Sequence, residues 1–275
     1  MIIVGERLNS SRKPVRDALA SRDSNFLIDQ ALRQQKAGAG YIDLNAAAVV
    51  DQELEVLSWA VPHLEKALSV PLSIDTPNAA AMEKALRISR RTPLLNSLTA
   101  ESARTKALLP LIREFKPRII VLCLDDAGVP KTADRAAGIA CRMANRLDRE
   151  GLSAENLFFD PLIRPVGVEP EAVVLFLESI ARIKESLPAV KTIAGISNVS
   201  FGLPKRKVIN RTVLTLALQR GLDAAICDPF DHDLRLEAAA AEALLGRDPG
   251  LRNYLRIFRE LSKADVNRSK LIPES

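Results

Sequence analysis

Asp and Asn side chains close nearly every apolar run of this chain: Asn9, Asp43 with Asn45, Asp75, Asn96, Asp125, Asp160, Asn198 and Asp228, in order. Carboxylates accept hydrogen bonds and amides both accept and donate, so the two types together recognise N–H and amino groups set side by side. Lys, Cys and His, which hold phosphates, metals and covalent intermediates, are almost absent from these run ends. If the ends converge, the site they form suits a neutral, nitrogen-rich heterocycle better than a phosphate or a metal ion.

Convergence depends on the elements that carry the run ends. Eight short β-like runs alternate with helical patterns, the signature of a closed (β/α)8 TIM barrel, whose interior is apolar and whose reacting groups sit where strands end. Strands are predicted over 1–9, 41–47, 71–75, 93–97, 118–125, 156–160, 192–197 and 223–228, with helices over the stretches between them. One domain is expected over residues 1–262, the barrel plus an added helix near 251–261, with a flexible tail over 263–275. A length of 275 residues suits a single barrel, since such domains run to roughly 250 residues.

An Asp or Asn ahead of a helix is ordinarily an N-cap, and Asn78 and Asp51 read as caps. Asp75 is not needed as one, because Asn78 stands between it and the helix. Asn96 is followed by Ser97 and Thr99, either of which can cap. After Asp160 the run Pro161-Leu162-Ile163-Arg164-Pro165 delays any helix by several residues. These three are therefore site candidates. The loop Gly195-Ile196-Ser197-Asn198-Val199-Ser200-Phe201-Gly202-Leu203-Pro204, followed by Arg206, is the fourth candidate region: its glycines permit close backbone approach, and Asn198 can donate or accept without changing charge.

Other polar residues read as structural. His63 and His232 lie in helical contexts away from strand ends, Cys123 and Cys227 read as small core residues within strands, and Glu6 with Arg7 reads as an ion pair. Trp59 and the Ala-rich stretch 237–245 read as packing in the barrel wall or at a subunit contact. No zinc spacing occurs, so no bound metal is expected. The three cysteines make no framework of disulfides, which fits a reducing compartment, and a cytoplasmic location is expected. No apolar stretch approaches the roughly 20 residues of a membrane helix. Aromatic residues make up only 4% of the chain, too few for the stacking platforms of a nucleic-acid binder, and the net charge of +5 instead favours an acidic substrate tail or partner.

The segments Gly5-Glu6-Arg7-Leu8-Asn9, Asp43-Leu44-Asn45, Ile74-Asp75-Thr76-Pro77-Asn78, Asn96-Ser97, Asp160-Pro161-Leu162 and Gly195-Ile196-Ser197-Asn198-Val199-Ser200 occur in order at strand ends over about the first 245 residues. Together they resemble the pterin-binding methyltransferase family, which includes the methyltetrahydrofolate:corrinoid/iron-sulfur protein methyltransferase and the folate domain of cobalamin-dependent methionine synthase. The resemblance implies a TIM barrel, usually homodimeric, that binds (methyl)tetrahydrofolate in its mouth and exchanges the N5 methyl with the cobalt of a cobalamin-type corrinoid on a partner protein. It implies that Asp75, Asn96 and Asp160 hold the pyrimidine ring and that Asn198 lies near N5. Gly195, Ser197, Arg206 and Ile226 would line the pterin or its aminobenzoate extension. Asn198 and Asp160 are the catalytic candidates. Phe201 departs from the pattern, standing where the corrinoid/iron-sulfur enzyme has a polar amide.

The direction of transfer is open at this point: O-demethylation of methoxy-aromatics runs one way, acetyl synthesis the other. Two rivals remain in view. A dihydropteroate synthase needs cations around a leaving pyrophosphate, for which Lys205-Arg206-Lys207 is the one basic candidate, and a non-catalytic folate-binding subunit needs only the pocket. An aldolase is disfavoured because Lys191 precedes its strand instead of ending it.

Overall fold

The computed structural model describes residues 1–49 and 52–269. Strands β1 (Ile2–Asn9), β2 (Tyr41–Asn45), β3 (Leu72–Asp75), β4 (Leu94–Thr99), β5 (Arg118–Leu122), β6 (Leu157–Asp160), β7 (Lys191–Gly195) and β8 (Ala224–Cys227) pair in parallel in chain order, and β8 closes back onto β1. Around them run α1 (Lys13–Ala20), α2 (Ser24–Lys36), α3 (Glu53–Ala67), α4 (Ala79–Ile88), α5 (Ser102–Phe115), α6 (Ala133–Arg149), α7 (Ala172–Ser186), α8 (Arg206–Arg220), α9 (His232–Leu244) and α10 (Arg252–Ser269). The chain is a single-domain (β/α)8 TIM barrel.

Local chemistry starts and stops these elements. Asn78 caps α4, its Oδ1 accepting from the N–H groups of Ala80 and Ala81 at 3.0 and 3.2 Å. Gly38, at φ 92°, takes the left-handed conformation that turns the chain from α2 into β2. The strands are apolar on both faces, as parallel strands covered inside and out must be: Ile119, Ile120 and Val121 are all fully buried.

Side chains alternate between the helix layer and the barrel interior with a period of two. The interior floor is one apolar cluster, drawing Val4, Tyr41, Leu94, Ile120, Phe158, Ile193 and Ala224 from every strand but β3. Two positions further along the same strands come Glu6, Asp43, Asn96, Leu122, Asp160, Gly195 and Ile226, so the residues above the floor turn polar wherever the strand sequence does.

Three boundaries differ from the sequence reading by three residues or more, the others by one or two. β5 ends at Leu122, because the N–H of Leu124 turns back to the carbonyl of Leu122 and Asp125 bridges Gly128. α8 starts at Arg206, three residues before Ile209, where the apolar pattern of the sequence places its start. α10 continues through Ser269, into the segment expected to be a tail, while the rest of that segment and the expected cap Asp51 lie outside the described residues.

Phe158 is the largest fully buried side chain of the interior floor, 1% exposed. Truncation to alanine leaves a cavity under the mouth. Phe158→Ala is expected to lower unfolding stability by about 3–5 kcal/mol in urea titration.

Candidate active site at the barrel mouth

The C-terminal ends of the strands bring a set of carboxyls and amides to the upper interior. Asn45 is paired in register with Asp75, and Asp75 with Asn96. Asn45 Nδ2 donates to Asp75 Oδ2 at 2.8 Å, and its own Oδ1 accepts from Ser10 Oγ at 2.9 Å, which fixes the amide. Asp43, one layer deeper, accepts from Ser73 Oγ at 2.6 Å and from Asn96 Nδ2 at 3.1 Å. Asp75 and Asn96 are thus held by two side-chain relays, Ser10–Asn45–Asp75 and Ser73–Asp43–Asn96, that lie side by side across β2, β3 and β4.

Asp160 ends β6, two strands from Asn96. Its Oδ1 accepts from the N–H of Leu162 at 2.7 Å, and the Gly195 N–H also points to it. Gly195 is the register partner of Ile226, whose side chain packs on the interior floor. Beyond Gly195 the chain makes a short 3-10 turn, Ile196–Asn198. Ser197 Oγ donates to Glu6 Oε1 at 2.7 Å, and the exposed Asn198 lies so close to the strand that a Cβ on Gly195 would meet its Nδ2 at 3.1 Å. Arg206 is on the rim, donating to the carbonyl of Ser197 at 2.6 Å and to Ser200 Oγ at 3.0 Å. Phe201, 69% exposed, belongs to the same turn, its N–H donating to the carbonyl of Asn198 at 3.1 Å.

Four carboxyls of this mouth are pushed above the ordinary carboxylate range, each chiefly by burial. Asp160 rises to about 7, although two backbone N–H groups oppose the shift. Asp43 rises through burial and the neighbouring Asp75 charge. Asp75 rises through burial against the opposing Asn45 bond, and Glu6 through burial against the Ser197 bond, with Asp228 adding to it. Among the described residues none of the four has a guanidinium or ammonium in hydrogen-bond contact. No group of three His, Cys, Asp or Glu among them is arranged to hold a metal ion.

Not every run end joins this set. Asp125, expected at the mouth, pairs with Arg135 and Arg142 on α6 at 2.8 and 2.9 Å, because β5 stops short of it. Asn9 Oδ1 accepts from the N–H of Ser11 and closes a turn. Glu6 and Arg7 do not pair with each other: Glu6 meets Ser197, while Arg7 reaches Asp228 at 2.8 Å. In the sequence Glu6 reads only as half of an ion pair, Asp43 as a run end that is not singled out for the site, and Ser73 is passed over. The available signal was parity, since Asp43 stands two residues before Asn45, and Ser73 two before Asp75, on the same strand face.

Residues 5–228 match the family of pterin binding enzymes. The chain belongs to that family. As a pterin-binding enzyme it is 32% identical, over 262 residues, to the methylcorrinoid:tetrahydrofolate methyltransferase of Eubacterium limosum, with 94% of this chain and 97% of that protein covered. It is 26% identical over 239 residues to the methionine synthase of Mycobacterium tuberculosis, spanning 82% of this chain but 20% of that longer protein. Among solved structures, the dihydropteroate synthase of Xanthomonas albilineans in complex with 7,8-dihydropteroate superimposes with a TM-score of 0.63 at 18% identity, covering 91% of this chain and 93% of the other. At that identity the likeness is one of fold.

The raised carboxyls make the stability of the pterin-binding enzyme depend on pH. An ordinary Asp releases its proton near 3.8, whereas folded Asp160 keeps it to about 7. Over that interval the folded state binds more protons than the unfolded chain, so stability present below about pH 4 falls as pH rises through about 7. Urea unfolding of the protein alone is expected to give lower stability at about pH 8 than at about pH 5, and Asp160→Asn is expected to flatten the profile. A wild type equally stable at both would contradict it.

Proposed function

We propose that this chain moves a methyl group between N5 of tetrahydrofolate and the cobalt of a corrinoid carried on a separate protein, taking it from the methylcorrinoid to the folate. The observation that carries the reading is the mouth itself, with half-buried Asp75 and buried Asp160 served only by amide and backbone donors. A reduced pterin presents a ring N–H beside an amino group, and a carboxylate accepts that pair in a forked arrangement. The ring supplies the donors that a buried charge requires. Asp75 and Asp160 accept from the ring and Asn96 orients it. Gly195 and Ile226 leave a flat wall, and Ser197 with Arg206 holds the turn that carries Asn198. The activity for which the Eubacterium limosum relative is named supports both the substrates and the direction.

In that direction the N5 lone pair forms the bond to the methyl carbon, the cobalt–carbon electron pair stays on cobalt as Co(I), and the N5 proton passes to solvent. The reverse uses the same groups and needs N5 protonated before Co(I) attacks. Either way N5 bears positive charge in the transition state, and the Asn198 amide stabilises it by a hydrogen bond without itself exchanging a proton. Fixing folate against corrinoid contributes the orientation term, on the order of 7–11 kcal/mol at best. Phe201, exposed beside Asn198, offers apolar surface to a flat macrocycle.

Asn198→Ala is expected to slow methyl transfer about 100-fold while changing folate affinity by less than about threefold. Stopped-flow recording of the cobalt spectrum gives the rate and equilibrium titration gives the affinity. Equal losses in both would reduce Asn198 to a ground-state contact. Folate binding without any change at cobalt would identify a folate-binding subunit instead of a transferase.

A further inference from the structure

Strand β1 departs from regular pairing where it reaches the mouth. Gly5 pairs with Ile42 and Leu8 with Leu44, so Glu6 and Arg7 together stand opposite Asp43. A bulge of this kind puts two residues against one and re-aims their side chains. Glu6 turns into the mouth, where Ser197 Oγ donates to its Oε1 at 2.7 Å. Arg7 turns to the rim, reaching Asp228 at 2.8 Å and lying 5.0 Å from the centre of the Phe230 ring. Leu8 then joins the apolar cluster that faces the helices, whereas an unbroken alternation from Val4 would point it into the barrel.

One buried side chain holds the bulge. Gln34 of α2 is fully buried, and its Oε1 accepts from the Arg7 N–H at 3.0 Å, a backbone donor at the point where the ladder is interrupted. Gly5 makes room for it, since a Cβ there would meet the same oxygen at 2.5 Å. Among the described residues the Nε2 of Gln34 has no hydrogen-bond partner, a cost that a leucine of similar size would avoid. The amide is therefore present for its acceptor.

The turn that carries Asn198 is fixed through its neighbours, because Asn198 is itself exposed. Arg206 holds it from the rim through the Ser197 carbonyl and Ser200 Oγ, and the Val166 N–H, in the loop after β6, donates to the Val199 carbonyl at 3.0 Å. Glu6 reaches the turn from inside the barrel. We infer that Glu6 is a positioning residue for methyl transfer: aimed inward by the bulge that Gln34 holds, it sets the Asn198 amide through Ser197. The inference rests on the role given to Asn198 above and adds to it the residues that deliver that amide. Carboxylate and amide oxygens both accept from a hydroxyl, so the contact requires an acceptor and not a charge.

The test is a double-mutant cycle on the full chain with free cob(I)alamin and methyltetrahydrofolate, the cobalt spectrum giving the rate and equilibrium titration the folate affinity. Glu6→Ala is expected to slow transfer about 30-fold while changing folate affinity less than about threefold, since a misplaced transition-state contact costs rate and not ground-state binding. Glu6→Gln, which keeps an acceptor for Ser197, is expected to bring the rate back to within about threefold of wild type. With Asn198 already replaced by alanine, Glu6→Ala is expected to cost less than about threefold more, because the group it positions is gone. Gln34→Leu is expected to show the same pattern at about tenfold. Thermal unfolding reports whether that variant folds, and the Glu6 variants decide where it does not. Losses that multiply in the double variant overturn the inference, because Glu6 then acts independently of Asn198. A Glu6→Gln enzyme as slow as Glu6→Ala overturns it in favour of a charge or proton role, and equal losses of rate and folate affinity overturn it in favour of a ring contact. A wild-type rate in Asn198→Ala alone removes the role of Asn198 beneath it as well.

Discussion

An ionised carboxylate withdrawn from water costs several kcal/mol unless donors or a cation offset the loss, and the upper barrel contains four such groups without a cation in contact. Glu6, Asp43, Asp75 and Asp160 are served by Ser197, by Ser73 and Asn96, by Asn45, and by backbone N–H groups. These donors hold the carboxyls in place but do not neutralise them. What remains is an unfilled demand for protons or for a ligand rich in N–H groups. The raised titration of all four is the same demand expressed on the pH scale.

The barrel makes that demand possible by geometry. Its closed sheet fixes each strand in register, and the apolar floor under the carboxyls, from Val4 to Ala224, keeps the dielectric low beneath them. The turns above are clamped in their own right. Arg104 on α5 donates to the carbonyls of Thr76, Pro77 and Ser97 at 2.9, 2.5 and 2.9 Å, tying the ends of β3 and β4, which carry Asp75 and Asn96, to a single helix. A ring held by both residues is then positioned by backbone that cannot yield separately at the two points.

The alternation of eight apolar runs with helical patterns was legible because parallel strands buried on both faces leave continuous runs, and closure follows from their number. That Asp75, Asn96 and Asp160 end inside the barrel was legible from capping chemistry, since another residue or a proline-rich stretch made each unnecessary as a cap. Asp43 was harder to read. It sits inside Ile42-Asp43-Leu44, where only its parity with Asn45 shows that it points inward. Asp125 misled because Leu122 to Asp125 reads as more strand, while the chain turns at Leu124 and gives the carboxylate to two arginines of α6. The start of α8 was hidden because Arg206 and Lys207 carry no apolar periodicity. Arg206 bonds to the preceding turn, a tertiary contact with no sequence signature.

The choice of an amide at position 198 follows from this electrostatic setting. The turn that carries it is held from below by Ser197 on Glu6 and from the rim by Arg206, and the missing Cβ of Gly195 lets the amide lie against the strand end. An Asp there would add a further carboxylate beside groups that already resist ionisation, and the turn would be repelled from Glu6 instead of drawn toward it. A Lys would do the reverse, meeting the carboxyls itself and satisfying the demand that the ring is needed to fill. Only a neutral group leaves the charge balance of the mouth to be completed by what enters it, while still offering one dipole that strengthens as positive charge grows on a bound nitrogen.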